Sequence, residues 1–151
     1  MNPLSRRDLG IALSALIPVG TAAHAMPAEP GKSKTLSESE VFSPDRIPEI
    51  TNANGSKRWD ILQGVLATGE SIAVHESLQP AGIAPNPPHT IQHSEVILVQ
   101  EGTLLFEYDG TSEKVGPGGV ILVAPGTRHS AKNAGDGPAK YLVIAIGGDT
   151  T

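Results

Sequence analysis

Residues 87–102 read Pro-Pro-His-Thr-Ile-Gln-His-Ser-Glu-Val-Ile-Leu-Val-Gln-Glu-Gly, and residues 118–133 read Gly-Gly-Val-Ile-Leu-Val-Ala-Pro-Gly-Thr-Arg-His-Ser-Ala-Lys-Asn. Together they place His89, His93, Glu95 and His129 on either side of a strand-rich segment. Imidazoles and a carboxylate converging from sequence-distant strands are how a small β-fold holds a divalent metal. Along one straight strand His89 and Glu95 would lie about 20 Å apart, too far to share an ion. A chain reversal over residues 91–94 instead returns Glu95 to the side of His89. The stiff Pro87-Pro88 pair before this corner and the β-branched run after Glu95 suit two strands meeting there. His129 follows the turn Pro125-Gly126-Thr127, and only a closed fold carries it to the same place.

Working outward, short runs rich in Val, Ile and Leu alternate with Gly, Pro and Asp from Trp59 onward. The pattern predicts strands over 59–66, 71–78, 95–101, 103–108, 120–124 and 139–146. Turns fall at 68–69, 79–88, 109–110, 116–119, 125–127 and 135–138, with Asp109-Gly110 a type I′ hairpin signal. No stretch after the N-terminal segment sustains a helical period. Many short antiparallel strands imply an all-β sandwich or barrel. Runs such as Val96-Ile97-Leu98-Val99 and Leu142-Val143-Ile144-Ala145-Ile146 are apolar on both faces. The outer face of a small barrel is therefore expected to be covered by the lead-in or by a second subunit, and a homodimer is the first expectation.

The 151 residues have room for one domain and an extra segment. Arg6-Arg7, an apolar run over 9–23 broken by Pro18, and Ala23-His24-Ala25 read as an export signal over 1–25, of the twin-arginine type. The apolar run is short of the roughly 20 residues a membrane span needs. His24 would leave with the signal. Residues 26–54, with Pro27, Pro30, Pro44 and Pro48, read as a flexible or extended lead-in, 55–147 as the barrel and 148–151 as a tail. After cleavage nine Lys and Arg face fifteen Asp and Glu, so nucleic acid is not an expected partner, and nothing beyond Ala25 could span a bilayer. The chain has no cysteine, which excludes disulfides and thiolate metal sites. A periplasmic or secreted location is the expectation.

The two quoted stretches resemble the paired motifs of the cupin superfamily. The first family motif, Gly-x5-His-x-His-x3-4-Glu-x6-Gly, is matched by Gly82, His89, Glu95 and Gly102, with six residues rather than five after Gly82 and Ile91 in place of the second His. The second, Gly-x5-Pro-x-Gly-x2-His-x3-Asn, is matched by Gly118, Gly126, His129 and Asn133, with Ala124 in the Pro position and Pro125 one step along. The resemblance spans about residues 59–147 and implies a single-domain, jelly-roll-like barrel. It also implies a divalent transition metal, Fe, Mn, Ni or Zn, and a small organic molecule bound in the barrel.

Three site arrangements follow. His93 could replace the missing histidine, giving His89, His93, Glu95 and His129; the set could be His89, Glu95 and His129 with open positions suited to iron or manganese; or metal binding has been lost. If the chain is an enzyme, the resemblance implies oxygenase, isomerase or lyase chemistry, with Glu95 moving between ligand and base. The competing expectations are a non-catalytic binding or sensing barrel and a structural dimer. His75, mid-strand with no motif around it, reads as a satisfied polar side chain. Arg128 reads as a strand-end side chain in water, and Trp59, Phe106 and Tyr108 as core or cavity wall. Gly102, Gly118 and Gly126 read as turn residues.

Overall fold

The computed structural model describes residues 34–148; the expected export signal, the start of the lead-in and the last three residues lie outside them. The strands are β1 (Thr35–Leu36), β2 (Ile50–Thr51), β3 (Lys57–Leu66), β4 (Ser71–Gln79), β5 (His89–Thr90), β6 (Ser94–Glu101), β7 (Leu104–Tyr108), β8 (Thr111–Val115), β9 (Val120–Val123), β10 (Arg128–Asn133) and β11 (Ala139–Ile146). One 3-10 turn, Pro44–Arg46, interrupts the lead-in, and there is no α-helix among the described residues. The all-β expectation therefore holds.

Two sheets face each other. The larger runs β1-β3-β4-β11-β6-β9, with β2 also on β3; the smaller runs β5-β10-β7-β8. Every pairing is antiparallel except β1 on β3. Between the sheets lie Ile97, Val99, Leu104, Phe106, Ile121, Val123, Ala139, Tyr141 and Val143, contributed by alternate positions of four strands. Each large side chain buried this way contributes about 1.5–3 kcal/mol.

Two strands were not foreseen from sequence beside the short β1, β2 and β5. Residues 111–115, Thr-Ser-Glu-Lys-Val, are mostly exposed on the edge of the small sheet, and residues 128–133, Arg-His-Ser-Ala-Lys-Asn, are polar although His129 and Ser130 are buried. Asp109 and Gly110 have φ of 44° and 82°, so the β7–β8 hairpin closes on the type I′ turn its sequence signals. At Gly102 a Cβ would lie 2.3 Å from the carbonyl oxygen of Pro138, and the β6–β7 turn can pass under that chain only as glycine.

Among the described residues, the strands of the lead-in do not lie on the outer face. Both of them, β1 and β2, add to the free edge of β3, where Gly64 admits the Lys34 carbonyl 2.2 Å from the place a Cβ would occupy. The outer face of β9, β6 and β11 keeps Val120, Leu122, Leu98 and Ile146 exposed, Leu122 at 71%. Cross-strand register makes these one patch, with Leu98 beside Val120 and Leu142, and Val96 beside Leu122 and Ile144.

Candidate metal centre

The corner after β5 does what the spacing requires. Ile91 turns its side chain into the core, while its carbonyl accepts a hydrogen bond from the Gly126 N–H at 2.8 Å. That bond ties the first stretch to the turn that launches β10. Within the small sheet His129 then pairs directly with His89 and, on its other side, with Tyr108. Glu95 comes from the large sheet, one residue into β6 and opposite Ala145 and Val123. The candidate centre thus draws two imidazoles from one sheet and a carboxylate from the other.

His89 and His129 have ring centroids 4.5 Å apart. His129 is 3% exposed, with Phe106 against its ring at 5.8 Å. Its Nδ1 lies 3.1 Å from the Thr127 carbonyl oxygen. A carbonyl can only accept, so Nδ1 carries a proton, and in the neutral form of the ring the lone pair is on Nε2. That Nε2 faces Glu95 Oε2 at 3.7 Å. An imidazole nitrogen facing a carboxylate oxygen in this way can share a cation with it, either a proton on the ring or a metal ion. His89 Nδ1 is 3.4 Å from the Pro87 carbonyl, a weaker version of the same arrangement. A backbone carbonyl behind the distal ring nitrogen is the usual support for a metal-bound histidine.

His93 stands differently. Its Nε2 is 3.1 Å from Glu95 Oε1, a hydrogen bond in which the imidazole donates to the carboxylate. Both side chains are 13% exposed. His89, Glu95 and His129 line the main cavity, and His93 is not on its wall. Among the described residues no three His, Asp or Glu side chains form a ready-made cage. The donor chemistry of His89, Glu95 and His129 nonetheless fits a divalent transition metal, with His93 orienting the carboxylate from behind.

The cavity has a volume of about 540 Å³. Besides the three residues above, it is walled by Arg58 from β3, His75, Ser77 and Gln79 from β4, and Tyr141 and Val143 from β11. Sequence reasoning missed most of this polar wall. The signal was present in β4, where His75, Ser77 and Gln79 recur at every second position and so share one face. His75, read from the sequence as a satisfied polar side chain, lies on the wall of this cavity. Its pKa is pushed down to about 4 by burial, then by the charge of Arg58, against smaller opposing effects of Asp60 and Glu95. Its ring is therefore neutral near pH 7. Tyr141 is raised above the usual phenol value, first by burial, and accepts a hydrogen bond from Gln79 Nε2 at 2.8 Å. Arg128 and Tyr108 lie with Pro88 on a second, outer depression rather than in this cavity.

Residues 74–145 match the cupin domain family profile. No curated protein matches the chain. Among solved structures, it is similar to an RmlC-like cupin from Shewanella frigidimarina (21% identity, 74% of this chain and 95% of that one, TM-score 0.61). It is also similar to a predicted oxalate decarboxylase from Thermotoga maritima (18%, 71% and 98%, 0.57) and to KdgF from Halomonas sp. (16%, 72% and 94%, 0.61). At these identities the likeness establishes the fold, which is that of the cupin barrel.

Proposed function

We propose that this chain is an exported cupin that holds a divalent transition metal on His89, Glu95 and His129 and takes a small organic molecule into the adjoining cavity. The observation that carries the reading is the 3.7 Å gap between His129 Nε2 and Glu95 Oε2, an imidazole nitrogen and a carboxylate oxygen that can share a cation. His93 keeps Glu95 turned toward the site through its hydrogen bond. When bound, the ion supplies Lewis acidity to an oxygen of the molecule beside it. Glu95 is the one carboxylate among the cavity-lining residues, so proton transfer at the bound molecule falls to it, in oxygenase, isomerase or lyase chemistry. Ile97 and Val143 on the same wall exclude water.

The exposed patch formed by Leu98, Val120, Leu122 and Ile146 supports a homodimer in which a second copy covers it. Arg6-Arg7 supports export by the twin-arginine route. A second reading, a binding barrel without metal, is favoured by one observation: Ile91, at a usual ligand position, is buried in the core.

Metal analysis of protein purified from its exported form decides between them. Near one equivalent of iron, manganese, nickel or zinc, or a rise in melting temperature on adding one of them, is the expected result. Less than about a tenth of an equivalent, with no stabilisation by any of the four ions, would refute the metal reading.

A further inference from the structure

The cavity has a second pole, away from His89 and His129. Arg58 reaches its wall from β3 and is the one Arg or Lys among the described lining residues. Its Nε bonds Asp60 Oδ1 at 2.5 Å, and the guanidinium is half-exposed. Register places Arg58 opposite Ser77 and Asp60 opposite His75, so a charged pair on β3 runs alongside the polar row of β4. His75 and Tyr141 share the cavity wall with Arg58 and Glu95 and feel the charges of both.

We infer that the molecule taken into the cavity is a small carboxylate whose anionic group is gripped by Arg58, with Ser77 and His75 beside it. This rests on the reading of the cavity as a small-molecule site. The Asp60 bond occupies Nε and leaves the four N–H groups of Nη1 and Nη2 for a ligand. A planar carboxylate matches that fork and carries one negative charge. A phosphate dianion fits less well, because no second Arg or Lys lines the cavity among the described residues. Asp60 further offsets part of the positive field, which favours a singly charged group.

The test measures binding to the full mature protein by calorimetry, using succinate, benzoate and citrate, the matching primary amides and inorganic phosphate as probes. Each is titrated with and without added manganese, against the natural protein, Arg58→Gln, Arg58→Lys and His129→Ala. At least one carboxylate is expected to bind 10- to 100-fold tighter than its amide. Arg58→Gln is expected to erase that preference while leaving metal uptake unchanged, and Arg58→Lys to restore part of it. His129→Ala is expected to keep the preference in metal-free protein. Equal carboxylate affinity in Arg58→Gln would overturn the assignment, as would binding of amides or phosphate over carboxylates, or no binding of any carboxylate. Failure of metal uptake by the natural protein, with the Arg58-dependent preference intact, would sink the metal reading alone.

Discussion

Gln79 and Asn133 are joined by two hydrogen bonds that cross from one sheet to the other: the Asn133 N–H donates to Gln79 Oε1 and Asn133 Nδ2 donates to the Gln79 carbonyl, both at 2.9 Å. Gln79 is 2% exposed and also donates to Tyr141 and to the Ala131 carbonyl. Truncating it leaves several buried groups without partners, each worth about 1–3 kcal/mol. Gln79→Ala is therefore expected to lower unfolding stability by about 2–4 kcal/mol, with Asn133→Ala close behind. Urea denaturation that shows less than about 0.5 kcal/mol for either would dismiss the clip.

His93 and His129 should separate in metal affinity. With His129 a ligand and His93 a support for Glu95, His129→Ala should lose the ion outright. His93→Ala should keep one equivalent but bind it about 10- to 100-fold more weakly. Competition with a chelator reads both, and complete loss of metal in His93→Ala would make it a ligand.

His75 makes stability depend on pH in a stated direction. Its pKa is about 4 in the fold and 6.5 when free. Between those values the unfolded chain takes up a proton that the folded protein does not, so stability falls as pH drops from 6.5 and levels off below about 4. The ceiling is about 3 kcal/mol, reduced by the partial exposure of the ring. His75→Gln should flatten the urea midpoint over this window. Parallel pH curves for the two proteins would contradict this.

Gly64 should be intolerant of any side chain. A Cβ would collide with the Lys34 carbonyl, and relief requires the β1 rung to leave β3. Gly64→Val is expected to cost about 1–3 kcal/mol and to speed proteolysis near residues 34–36. An unchanged digestion pattern would show that the edge rung is dispensable.

Leu122, exposed on the apolar sheet face, tests the assembly. Leu122→Glu should convert a dimer to a monomer in sedimentation velocity with the melting temperature nearly unchanged. A natural protein that already sediments as a monomer at tens of micromolar would remove the basis for the dimer.

The apolar strands were legible because short runs of Val, Ile and Leu stand between Gly, Pro and Asp turns. The run from Glu95 to Glu101, and that from Ala139 to Ile146, announce β6 and β11 to within a residue. β10 was not legible: His129 looks inward, Ser130 bonds Glu107, and Asn133 clips Gln79, so its residues are chosen by polar partners far away in sequence. Apolar character on both faces of β6 goes with exposed Leu98, Val120 and Leu122 on the outer side, but could not tell that the described strands of the lead-in would take the β3 edge. At the site, His89, Glu95 and His129 were findable because their spacing encodes a corner and a turn. Arg58 and Gln79 were not, since one meets the cavity through strand register and the other through a contact spanning 54 positions.

Because the candidate donor set straddles the seam between the sheets, an ion seated there would act as a rivet through both halves of the molecule. Starvation for metal would then loosen the mouth of the barrel while the glutamine–asparagine stitch kept the opposite end shut. Chelation would register first as heightened amide exchange around residues 89 and 129, before any global collapse.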